Sequence, residues 1–191
     1  MRSATIERKT RETDISLTLE LDGSGRAEVD TGVGFLDHML ELLAVHAGFD
    51  LSVSCKGDTQ VDFHHSVEDV GICLGQAFFR ALGDKRGIAR FADRLVPMDD
   101  AAAQIAVDIS GRPFLNFADK MDGKIGQFDA ELVEEFLRAF AFHAGINVFV
   151  RLPARGNRHH EAEAVFKALA KCLQDAVKVV SARIPSSKGV L

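Results

Sequence analysis

The sequence predicts an α/β fold: an α+β two-layer sandwich written twice, with β-β-β-α-β-α halves related by a pseudo-two-fold. Three observations predict it. Two segments with helical apolar spacing end alike, FLDHMLELLAVHAG at 35–48 and LVEEFLRAFAFHAG at 132–145. A β-like run follows each, FDLSVSC at 49–55 and INVFVRL at 146–152. Each run then leads through a polar loop to a His-His pair that opens a second apolar helix, at about 65–82 and about 160–182. A shared order of features at a fixed offset is the mark of a duplicated unit.

Taken in chain order, ISLTLELDGSGRAEVD (15–30) alternates apolar and polar residues, breaks at Gly-Ser-Gly and resumes, as two strands around a turn do. The helix at 35–48 ends in His-Ala-Gly, where glycine tolerates the left-handed conformation of a C-terminal cap. In the second half, AQIAVDISGRPFLNF (103–117) breaks at Ser-Gly-Arg in the same way, and the helix at 132–145 ends in the same tripeptide. Each half thus holds two or three strands, a helix, a strand and a second helix. Antiparallel strands with helices on one face make two layers. The boundary falls near Gly87–Arg94, which makes 1–90 the first half and 91–191 the second, packed as one globular unit.

Composition narrows the partners. The chain of 191 residues is 47% apolar and 27% charged, which suits a packed core under a polar surface. No apolar run reaches the ~20 residues of a membrane helix, and MRSATIERKTRETDI lacks the apolar middle of a signal peptide. A net charge of -5 without a basic run argues against nucleic acid. Cys55, Cys73 and Cys172 show no metal-like spacing and fit a reducing, cytoplasmic compartment.

Four of the seven histidines stand in two pairs, in HHSVE (64–68) and HHEAE (159–163). Glu68 and Glu163 follow at helical offsets that put imidazole and carboxylate on one face. Nitrogen and oxygen donors without thiolate point to a divalent first-row metal. Adjacent positions on a helix are turned by about 100°, so each pair is divided between two ions. Aligning the two His-Ala-Gly ends sets His38 opposite Glu135. A symmetric assignment follows: His38, His64, His160 and Glu163 for one ion, His65, Glu68, Glu135 and His159 for the other. Which histidine of each pair serves which ion is left open by the spacing. Asp69 reads as support for a histidine N–H, and Asp99 and Asp100 as turn residues after Pro97.

TGVGFLDHML (31–40), FHHSVEDVGICLGQAF (63–78), ISGRP (109–113), NRHHEAEAVFKALAKCL (157–173) and SSKGV (186–190) resemble the imidazoleglycerol-phosphate dehydratase family of histidine biosynthesis. The resemblance runs from about Glu7 to the C-terminus. It implies a hydro-lyase that converts D-erythro-imidazole glycerol phosphate to imidazole acetol phosphate, with two Mn(II) ions per active site binding the ring as imidazolate. It also implies a homo-oligomer, a 24-subunit shell built from trimers, with active sites between subunits.

By the same resemblance, His38, His46, His64 and His65 contact substrate, and Arg90, Arg112, Ser186, Ser187 and Lys188 bind its phosphate. Glu12 matches the family's substrate-contacting glutamate and is the first candidate for proton transfer, with Glu163 and Glu68 as alternatives. One departure stands out, because family members often carry His at the position of Glu135. A carboxylate also suits Mn(II); His143 is the fallback ligand but reads better as a helix-end residue. Two other readings compete: a dinuclear metal-dependent phosphate-ester hydrolase, and a metal-storage shell stapled by the histidine pairs.

Overall fold

The computed structural model describes residues 2–189 and 191. The first half runs β1 (Ser3–Lys9), β2 (Thr13–Glu20), β3 (Ala27–Asp30), α1 (Gly34–Ala47), β4 (Asp50–Gly57) and α2 (His64–Leu82). The second runs β5 (Phe91–Met98), β6 (Ala101–Asp108), β7 (Phe114–Phe117), a short hairpin of β8 (Lys124–Ile125) and β9 (Phe128–Asp129), α3 (Leu132–Ala144), β10 (Asn147–Ala154) and α4 (Arg158–Ala176). The sheet orders are β1-β2-β4-β3 and β5-β6-β10-β7, the same topology twice. The expected duplicated β-β-β-α-β-α fold is the one observed, with the β8–β9 hairpin added in the second half.

Each sheet departs from the expected antiparallel pattern at one edge, because β3 pairs with β4, and β7 with β10, in parallel. The cause is connectivity: a helix lies between the two strands in each case, and a helical crossover returns the chain in the same direction. The first strands, β1 and β5, are edges with few buried residues. Pro97 is tolerated in β5 for that reason.

The caps repeat as expected. Gly48 (φ 73°) and Gly145 (φ 66°) are left-handed and direct their N–H groups to Ala44 and Ala141. By contrast, α4 stops at Ala176 rather than near 182. The carbonyls of Ala176 and Lys178 accept N–H bonds from Arg90 and Ala89 (2.9 and 2.8 Å), and Val179 bridges Ile88. The inter-half linker thus draws the valine-rich end of the helix into extended structure, which suits β-branched residues.

The helices cover one face of their own sheet and meet across the pseudo-two-fold, α2 on α3 and α1 on α4. One continuous apolar core joins both halves, with Phe49, Phe78, Phe136, Phe140 and Phe166 fully buried in it. Packing α1 on α4 and α3 on α2 carries His38 and Glu135 to the helix starts where the histidine pairs lie.

Candidate active site

Both histidine pairs sit at helix N-termini. His64 opens α2, where its N–H bonds the Asp62 carboxylate (2.8 Å), and Asn157 caps α4 by accepting the His159 N–H (2.8 Å). One turn in, Glu163 lies against His159, with Nε2 to Oε1 at 2.8 Å, and against His38 of α1 at 3.3 Å. Ligand atoms of His38, His159 and Glu163 all fall within 4.8 Å of one another. Two imidazole nitrogens and a buried carboxylate form a donor set that fits a first-row divalent cation.

Lys167, one turn further along α4, bonds the other Glu163 oxygen at 2.6 Å. Burial alone would raise the Glu163 pKa. Bonds from Lys167, His38 and His159 prevail and lower it from 4.5 to about 2. Phe35 of α1 packs edge-on against the His159 ring, 5.2 Å between centroids, and rests in turn on Phe128 of β9 at 4.9 Å.

The pseudo-two-fold repeats this cluster in weaker form. His64 Nε2 lies 3.8 Å from Glu68 Oε2. Glu135 lines a surface hollow with His64 and an adjoining one with Glu68. Arg138 stands among these carboxylates, paired with Glu134 and 3.8 Å from Glu135. The corresponding position on α1 is Glu41. Within one chain, then, the first histidine of each pair joins its own i+4 glutamate. His159 takes the place beside His38 and Glu163 that the symmetric assignment gave to His160, and His64 lies with Glu68 where His65 was expected. Helix geometry accounts for this, since i and i+4 share a face and the next residue is turned away.

The second histidines face the sheet hairpins. His65 Nδ1 bonds both Asp58 oxygens (3.0 and 3.1 Å), and its Nε2 lies 3.7 Å from Glu12. His160 Nδ1 bonds Asp100 at 2.7 Å, and its Nε2 lies 3.6 Å from Asp99. The aspartate bonds raise the pKa of both rings, against a smaller opposing effect of burial. Asp99 and Asp100 do form the β5–β6 turn, but Asp100 also holds a histidine, which no local spacing announced.

Asp69 does not support a histidine. Its position on α2 faces the sheet, where it accepts the Thr13 hydroxyl (2.5 Å) and pairs with Arg8 (2.9 Å). His143 bonds the Ala139 carbonyl of its own helix at 2.9 Å, a helix-end arrangement. His46 is half-buried beside α4, where burial first, then Lys167 and Lys171, lower its pKa.

A separate set of contacts holds the C-terminal segment against Arg90 and Gly111. Arg90 directs Nε and one Nη to Asp108 (2.7 and 3.2 Å) and the other Nη to the Pro185 carbonyl (2.7 Å). Three of the five guanidinium N–H groups are thereby engaged. Pro185 leads into half-buried Ser186 and exposed Ser187 and Lys188. Gly111 (φ 75°) lets Leu191 come close, since a Cβ there would meet its carbonyl carbon at 3.2 Å. The exposed Arg112 follows directly. Of the SSKGV segment, Val190 lies outside the described residues.

Comparison with known proteins gives this geometry a context. A family model described as imidazoleglycerol-phosphate dehydratase matches residues 31–173. The chain is similar to the imidazoleglycerol-phosphate dehydratases of Azorhizobium caulinodans (55% identical, 100% of this chain and 99% of the relative) and Methylorubrum extorquens (55%, 100% of both). Among solved structures it resembles the Staphylococcus aureus imidazoleglycerol-phosphate dehydratase (TM-score 0.84, 38% identical, 93% of this chain and 99% of that one). The Pyrococcus furiosus enzyme is similar as well (TM-score 0.83, 35% identical, 97% of this chain and 100% of that one). The chain belongs to the imidazoleglycerol-phosphate dehydratase family and is a hydro-lyase of that class.

Proposed function

We propose that the chain dehydrates D-erythro-imidazole glycerol phosphate to imidazole acetol phosphate in histidine biosynthesis, with two Mn(II) ions per active site. The observation that carries this reading is the His38–His159–Glu163 triad at the start of α4 in a member of this family. His38, His64, His65, Glu68, Glu135, His159, His160 and Glu163 would hold the ions, the set being shared between copies of the chain. When bound, the ions would hold the ring as imidazolate and supply Lewis-acid stabilisation.

The chain's own residues supply the rest. Glu12, on the β1–β2 turn beside His65, moves the proton at C2 of the glycerol chain, with Glu163 and Glu68 as further carboxylates in reach of proton transfer. His46 contacts substrate from α1. Arg112, Ser187 and Lys188 grip the phosphate together with Ser186, and Arg90 retains two N–H groups for it while holding the tail through Pro185. The tail closes over the bound substrate as a lid. The halves 1–90 and 91–191 work as one unit because each contributes one histidine pair. The chain works in the cytoplasm, in a 24-subunit shell built from trimers; its three free, buried cysteines suit a reducing compartment.

The test is a product assay on protein stripped of metal and reloaded with Mn(II). Acetol phosphate forms only after reloading if the reading is right. Release of inorganic phosphate in its place would identify a dinuclear hydrolase, and retained metal with neither product a storage shell. Glu12→Gln keeps metal content and assembly but loses turnover by roughly a hundredfold or more; near-normal turnover removes Glu12 from the reaction. Glu135→Ala lowers metal content at one site of two by elemental analysis, whereas unchanged stoichiometry would transfer the role to His143.

A further inference from the structure

His65 and His160 reach the same arrangement by different routes. The carboxylate on His65 Nδ1 is Asp58, from the loop between β4 and α2, seven residues earlier in the chain. The carboxylate on His160 Nδ1 is Asp100, from the β5–β6 turn, sixty residues earlier. The two aspartates are not repeat counterparts. At the offset that relates the histidine pairs, Asp58 corresponds to Pro153, and the turn that bears Asp100 corresponds to the one that bears Glu12. The duplication therefore did not copy this contact, and both halves possess it.

A carboxylate accepts and does not donate, so Nδ1 carries the proton, and in the neutral ring that a metal takes, Nε2 is left with the lone pair. Both rings are partly exposed, at 32% and 28% of their side-chain surface. Without a partner at Nδ1 each could flip or exchange tautomers in water. Both aspartates are themselves anchored to backbone. Asp100 accepts the Asn157 N–H at 2.9 Å, and the Asp58 N–H bonds the Glu12 carbonyl at 3.1 Å. Each one ties a sheet hairpin to the helix start that bears its histidine.

We propose that Asp58 and Asp100 are positioning residues, which hold His65 and His160 so that Nε2 is the metal-binding nitrogen. The inference rests on reading these histidines as ligands. Carboxylate support of this kind changes metal affinity by about 10–100-fold. The Asp58–Glu12 backbone bond further means that His65 and Glu12 are set by one residue, whereas Asp100 and Asp99 are neighbours in a single turn.

The experiment is titration of the metal-stripped chain with Mn(II) alone, read by the electron paramagnetic resonance of free Mn(II). Asp58→Ala and Asp100→Ala each weaken binding about 10–100-fold, and Asp58→Asn and Asp100→Asn fall between these and the unaltered chain. Melting of the metal-free protein stays unchanged in the Asp58 variants, which keep the main-chain bond to Glu12, and falls only in Asp100→Ala, which loses the acceptor for the Asn157 N–H. Unaltered affinity in both Ala variants overturns the proposal. So does a loss that tracks a lowered melting temperature and is not eased by Asn. Mn(II) binding that survives His65→Ala and His160→Ala instead sinks the ligand reading beneath it, and separates that failure from failure of the aspartate role.

Discussion

Glu163 sets the charge balance of the stronger cluster. Its folded pKa of about 2 lies below its ordinary value of 4.5. As pH falls, the unfolded chain therefore takes up this proton first. The stabilisation is present above about 4.5 and disappears as pH drops toward 2, and for a gap of this size it amounts to roughly 3 kcal/mol. Urea unfolding of metal-free protein between pH 6 and pH 2.5 measures it. Glu163→Gln should be less stable by about that amount at pH 6 and should converge with the unaltered chain near the acid end; parallel curves would refute the assignment. At this scale the sequence revealed the histidine pairs and the one-turn offset to Glu163, because helical spacing is local. It did not reveal Asp58, Asp100 or Lys167 as partners. Asp100 reaches His160 only once β5 and β6 have paired beside α4, and no periodicity encodes that meeting.

The helix contacts across the pseudo-two-fold are unequal, and two glycines on α2 explain why. A Cβ on Gly71 would lie 2.9 Å from the Phe136 carbonyl, and one on Gly75 only 2.6 Å from the Phe140 carbonyl. Backbone approaches backbone there, so α2 and α3 cross closely. The corresponding positions on α4 are Phe166 and Ala170. Gly75→Ala gains helix propensity of about 1 kcal/mol but meets main chain that cannot give way. A net loss of about 1–3 kcal/mol in denaturant unfolding is expected. Gly34→Ala, where nothing lies within 4 Å, is the control and should be neutral or slightly stabilising. Helices with strong spacing and glycine ends were legible in the sequence. The edge strands β1 and β5 were not, since edges bury too little to show alternation, and the end of α4 was overridden by the linker at 87–90.

Across the whole molecule, the duplication preserves topology but not the use of surfaces. The outward face of the first sheet carries Thr5, Glu7, Ser16, Thr18, Ser52 and Ser54. The second sheet instead exposes Leu95 (61%) and Phe149 (48%), and Phe114 packs on Phe149 at 5.8 Å. Apolar groups gathered on one face suit contact between copies of the chain and need no metal. The histidine clusters are the opposite case: the described residues of one chain bring together only one set of three ligands. Where the ligand set proposed above is shared between copies of the chain, bound metal would link subunits, and its free energy would contribute to assembly. Chelation should accordingly break the assembly into smaller units that still exceed one chain, because the apolar contacts remain. Native mass spectrometry before and after chelation measures this, and added Mn(II) should restore the full mass. An assembly that keeps its full mass without metal would show that the ions do not bridge subunits, and dissociation to single chains would show that the Leu95–Phe149 face contributes no contact of its own.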